Sequence, residues 1–162
     1  MDHAAAFAAS LVIITLAAGA SAAQTVSPPS GVMTLYSGNT RGANFLIDDS
    51  VVRDGARVSY SNFRVFAEPI DVPTGPITMD VESLVLDCDT RRVTVSGIEA
   101  FGGSGEHIAS LPGYPAADIE ANDSWDFAAR ILCDGVEPPP TQKRTGWRAA
   151  HEIALFMIAR AT

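Results

Sequence analysis

Two cysteines, Cys88 and Cys133, constrain this 162-residue chain more than any other feature. Two cysteines allow one pairing, and a bond between them ties segments 45 residues apart. Whether they oxidise depends on compartment, because disulfides persist outside the reducing cytosol. The N-terminus bears on that question. From Ala4 to Ala18 it reads AAAFAASLVIITLAA, the length of a secretory apolar region and short of the roughly 20 residues that span a bilayer. Ala20, Ser21, Ala22 and Ala23 suit a small-residue cleavage site. Residues 1–23 therefore read as a signal peptide, although Met1-Asp2-His3 lacks the usual positive charge, and an uncleaved anchor is the alternative. The expected location is periplasmic or secreted, with no transmembrane span in the mature chain. There the two thiols favour a structural disulfide, and two buried free thiols are the alternative.

Residues 24–31 read as a flexible Pro/Ser/Gly lead-in. Beyond them, segments 32–36, 43–47, 57–66, 77–86 and 91–100 alternate or are rich in β-branched and aromatic residues, as strands are. Ser37-Gly38-Asn39, Asp54-Gly55, Asp89-Thr90 and the run Gly102 to Gly105 supply turn chemistry, and such short connections favour antiparallel neighbours. A sixth strand over 106–111 is weaker, because Pro112 and Pro115 follow closely. Period-two spacing puts Leu84, Leu86 and Cys88 on one face. Over residues 123–133, Trp125, Ala128, Ala129 and Leu132 make a helical stripe that Cys133 adjoins. Asn122 or Asp123 is placed to cap that helix, and Gly135 to end it. A Cys88–Cys133 bond thus predicts that the helix covers the sheet.

Residues 136–146 read as a Pro-rich, then basic, linker that closes a domain spanning 32–135. The tail, 147–162, is a further helix with Trp147, Ala150, Ala154, Met157 and Ile158 on one face. Ile153, Leu155 and Phe156 leave little polar surface on the other. Four readings stand for this tail: it folds back on the sheet, it docks in a partner through Trp147, Phe156 and Met157, it lies on a membrane surface, or it is a loose tail.

The chain carries 11 Lys+Arg against 19 Asp+Glu, and setting aside Asp2 of the leader leaves a balance of −7, which argues against nucleic acid as a partner. The charge is uneven. Residues 24–136 hold 16 acids and 7 bases, whereas 137–162 hold 2 acids and 4 bases.

No motif points to catalysis. His107 and His151 are the histidines beyond the leader, and Ser104 near His107 matches no nucleophile elbow. Gly102 to Gly105 lacks the Lys-Ser/Thr of a phosphate loop and reads as a mobile hairpin turn. Asp48, Asp49, Asp87 and Asp89 lack the alternating spacing of a calcium loop and read as solvated turn carboxylates. Arg91 and Arg92 are placed to pair across strands with Asp80, Glu82 or Asp87. No catalytic, cofactor or metal residue is expected.

Three stretches, FLIDDSVVRDG (45–55), VLDCDTRRVTVSG (85–97) and SWDFAARILCDG (124–135), resemble the bacterial surface-adhesin protein E family. The resemblance implies a six-stranded antiparallel sheet whose concave face is covered by a helix, tied to a strand by a disulfide. It also favours the sixth strand. The family is named for an outer-membrane adhesin that binds host matrix and plasma proteins. This chain differs in lacking an acylation cysteine and in the 27 residues after Gly135.

The expected fold is α+β: about six antiparallel strands, a C-terminal helix on one face tied by the disulfide, and an extra tail helix. The expected function is a non-enzymatic binding module for protein or envelope components, working through sheet loops or the tail. The alternative is a structural or accessory envelope protein docking through its C-terminal helix.

Overall fold

The computed structural model describes residues 26–161, so the leader lies outside the described residues. The strands are β1 (Val32–Asn39), β2 (Gly42–Ile47), β3 (Val52–Asp54), β4 (Arg57–Val72), β5 (Gly75–Asp87), β6 (Arg92–Phe101), β7 (His107–Asp118) and β8 (Lys143–Thr145). The helices are α1 (Ser124–Leu132) and α2 (Trp147–Ala161). The strands form one antiparallel sheet in the order β7-β6-β5-β4-β2-β1-β8, with β3 paired to β4.

Alternation along the strands gives the sheet two apolar faces, and each face has a helix. On one, Leu46, Val58, Tyr60, Leu84, Leu86, Val93 and Val95 pack against Ala128, Ala129 and Leu132 of α1. On the other, Met33, Phe45, Phe63, Val65, Met79 and Phe101 pack against Ala150 and Ala154 of α2. The four alanines are buried, and their small side chains let both helices approach the sheet closely.

Cys88 and Cys133 are bonded, with Cα atoms 5.5 Å apart. Cys88 ends the inward row of Leu84 and Leu86, and both cysteines pack on the α1 core, as the facing argument requires. The start of α1 is fixed reciprocally. Asp123 Oδ1 accepts from the Asp126 amide at 2.7 Å, while Asp126 Oδ2 accepts from the Asn122 amide at 2.9 Å. At its other end Arg53 donates to the Leu132 carbonyl, and Gly135 takes the left-handed φ of 70°.

Several expectations change. The sixth strand is long rather than weak: β7 runs through Pro112 and Pro115, which an edge strand tolerates because its outer N–H groups need no partner. The segment expected to be a linker contributes β8, which pairs with Val32, Met33 and Thr34 of β1. The lead-in is fastened to the tail: Trp147 N donates to the Pro29 carbonyl at 3.0 Å and Gly146 N to the Gly31 carbonyl at 2.9 Å. The glycine turn is packed rather than open, since a Cβ on Gly105 would lie 2.7 Å from the Trp147 ring. The tail is a helix whose inner side folds back on the sheet, through Ala150 and Ala154.

Candidate functional site

The β1–β2 hairpin, the middle of β4 and the start of α1 enclose a cleft of about 670 Å³. Ser37, Asn39, Arg41 and Asn44 line one wall, Asn122, Asp123, Ser124 and Phe127 another, and Arg64 and Phe66 the base. The volume falls within the range of small-ligand pockets.

The base is built by sheet register. Arg64 on β4 lies opposite Asp80 on β5, and Asn62 opposite Glu82. Arg64 Nε donates to Asp80 Oδ1 at 2.8 Å and its Nη2 to Asp80 Oδ2, while Nη1 lies 3.0 Å from Glu82 Oε1. Asn62 Nδ2 donates to Glu82 Oε2 at 3.0 Å and reaches Asn44 Oδ1 at 3.4 Å. The Asp80 and Glu82 side chains are 5% and 1% exposed, whereas Arg64 keeps 28% of its side chain open toward the cleft.

Burial sets the electrostatics. Desolvation raises the pKa of Asp80 and Glu82, although Arg64 opposes the rise in both. Desolvation also works against the Arg64 charge, but hydrogen bonding to Asp80 and the charges of both acids outweigh it and raise its pKa. The Tyr36 and Tyr60 hydroxyls have no hydrogen-bond partner and are held well above the usual phenol range by burial. Asn62 Oδ1 is also buried without a partner.

The other singled-out residues fall elsewhere. Ser104 donates to Glu106 Oε2 at 2.7 Å, so it does not serve His107. His107 Nε2 instead lies 2.7 Å from Glu99 Oε2, and Ser110 Oγ donates to the same oxygen at 2.6 Å. Serine and glutamate crowd one ring nitrogen, whereas a catalytic relay engages opposite nitrogens. The Ser110 bond, then that of His107, lowers the Glu99 pKa. His151 stacks edge-on against Trp147, and burial lowers its pKa. Asp48 is not merely solvated: it accepts from Thr34 Oγ1 at 2.7 Å and Lys143 Nζ at 3.0 Å. Asp87 caps the Thr90 amide at 2.9 Å. Among the described residues no group of three or more His, Cys, Asp or Glu is placed to hold a metal ion.

The expected pairing of Arg91 and Arg92 with Asp80, Glu82 or Asp87 does not form. Arg91 pairs with Asp134, and Arg92 pairs with Asp118 across β6 and β7. The β5–β6 register sets Asp80 and Glu82 opposite Ala100 and Ile98, away from both arginines, and Asp87, opposite Arg92, turns to the Thr90 amide. Of the tail residues named for partner contact, Trp147 and Met157 pack on the sheet, and Phe156 alone faces outward. No helix among the described residues is long and apolar enough to cross a membrane.

The sequence reading missed Arg64 and the Asn62–Glu82 pair. A signal was present: Asp80 and Glu82 share parity with Leu84, Leu86 and Cys88, so an inward row opens on two carboxylates that need a buried cation.

The fold of this chain is similar to that of protein E from Haemophilus influenzae. One solved structure of that protein superposes with a TM-score of 0.52 at 14% identity, covering 70% of this chain and 98% of that one. A second gives 0.51 at 15% identity, covering 68% and 92%. No family model and no curated protein matches the sequence. At this identity the protein E likeness carries the α+β architecture and stops short of family membership.

Proposed function

We propose that this chain is an exported, non-enzymatic binding module that holds protein or envelope components in the cleft at the start of α1. The observation that carries this reading is the cleft's construction. It is ligand-sized, walled by Asn, Ser and Arg side chains, and based on a guanidinium fixed by two buried carboxylates. Fixed polar groups of this kind orient a ligand without reorganising. The protein E-like fold and the adhesin-like reading of the sequence are consistent with a binding role. Export is inferred from the apolar leader and the disulfide.

A second reading, an accessory protein that docks through α2, has one observation in its favour: Leu155 and Phe156 are exposed on its outer side. One experiment separates the two. Envelope components retained by the immobilised wild-type protein are identified by mass spectrometry and compared with those retained by Ser124→Trp/Arg41→Glu and by Phe156→Ser. Loss with the cleft variant and retention with the tail variant supports the first reading; the reverse pattern replaces it with the second.

A further inference from the structure

From the outer side of α2, we infer that this helix docks on the surface of an anionic phospholipid bilayer, lying flat with Leu155 and Phe156 in the headgroup region. This rests on observations separate from the cleft.

The inner side of α2 is already occupied. Ala150 and Ala154 are fully buried on the sheet, with Trp147, Ile153 and Met157 beside them. The outer side nevertheless carries large apolar groups: Leu155 is 44% and Phe156 55% exposed. A helix apolar on both sides has a second environment to satisfy.

Cations frame that outer side. Arg148, exposed and seven residues before Leu155 on the same helical face, sets its guanidinium 4.4 Å from the centre of the Trp147 ring at one end, and the exposed Arg160 sets its own 5.3 Å from the centre of the Phe156 ring at the other. Between them, a shallow groove of about 290 Å³ runs beside Phe156, lined by Ala149, Glu152, Ile153 and Arg144. Arg144 Nη1 is held there by the carbonyls of Thr141 and Lys143, at 2.8 and 2.7 Å. Three arginines against Glu152 leave this side positive, while residues 24–136 hold 16 acids against 7 bases. A negative surface therefore attracts the molecule by α2 and repels it by its remainder.

This arrangement is that of an interfacial helix, with apolar side chains between cations that reach headgroup phosphates. At 15 residues α2 is about 22 Å long, enough to lie along the surface and too short to cross it. A second copy is a poorer occupant, because like-charged, arginine-framed faces would meet.

The test uses the full chain with whatever N-terminal processing the cell performs, identical in every variant. Co-sedimentation is measured with vesicles of phosphatidylglycerol and phosphatidylcholine in equal parts, and with phosphatidylcholine alone. The expected result is preferential binding to the anionic vesicles that weakens with added salt. Arg148→Gln and Arg160→Gln should each reduce partitioning about fivefold. Leu155→Ser/Phe156→Ser should abolish it with an unchanged unfolding curve, since both positions are exposed. Equal binding to both vesicle types, or wild-type partitioning by these variants, overturns the inference. Absence of vesicle binding together with a dimer that Phe156→Ser dissociates overturns it in favour of a second copy.

Discussion

Removing the cation under the cleft is expected to expose the electrostatic cost that the fold now offsets. In Arg64→Met the apolar stem is kept and the guanidinium is lost, leaving Asp80 and Glu82 buried without their partner. Breaking a buried ion pair by deleting one member costs about 3–5 kcal/mol, a large share of the roughly 5–15 kcal/mol that holds a domain folded. The loss should depend on pH in a defined sense. Burial raises both carboxyl pKa values in the native state, so that state binds protons more readily than the unfolded chain. Stability from these groups is fully present below their unfolded values and falls as pH rises through the raised native ones. Arg64 opposes the rise, and its removal pushes both values higher. The deficit of Arg64→Met should therefore be largest near pH 7 and shrink toward pH 4. Urea denaturation followed by tryptophan fluorescence at pH 7, 5.5 and 4 measures it, with equal slopes confirming a common unfolded state. A deficit below about 1 kcal/mol at pH 7, or one that does not change with pH, would refute this account of the cluster.

Other expectations are more local. Replacing both cysteines by alanine should cost about 4 kcal/mol for a closed loop of 45 residues, read as the same drop in urea midpoint that reductant produces in the wild type. Ala154→Leu should cost about 1–3 kcal/mol, because no space remains between α2 and the sheet, whereas Phe156→Ser on the outer side should leave the midpoint within about 0.5 kcal/mol. Gly113→Ala should disrupt the β6–β7 pairing, since its Cβ would fall 1.8 Å from the Val95 carbonyl oxygen; amide exchange in β7 should rise while that of α2 stays protected.

What could be read from the sequence follows from how local the signal is. The inward row ending at Cys88 and the stripe of α1 ending at Cys133 are periodic within one element, so the bond and the helix over the sheet were legible. The capping pair Asp123 and Asp126 is equally local. β8 was not legible, because three residues cannot show alternation and its pairing with β1 is decided by where the chain returns. β4 continues past Pro69 to Val72 for a similar reason, its partner β5 continuing beside it. The cleft was the least legible feature. Arg64 meets Asp80 and Glu82 only through one register of two strands, and Asn122 and Ser124 reach the same space from a helix some 60 residues on. Parity along β5 marked the two acids; nothing local marked their partner.

The most direct test of the binding account places a photo-crosslinking amino acid at Asn39, at Ser124 and, for comparison, at Thr90 in the exposed turn before β6. Irradiation is carried out in the producing cell. The account predicts specific adducts from both cleft positions, Asn39 and Ser124, and none from Thr90. No adduct from either cleft position, or an equal yield at Thr90, would contradict it.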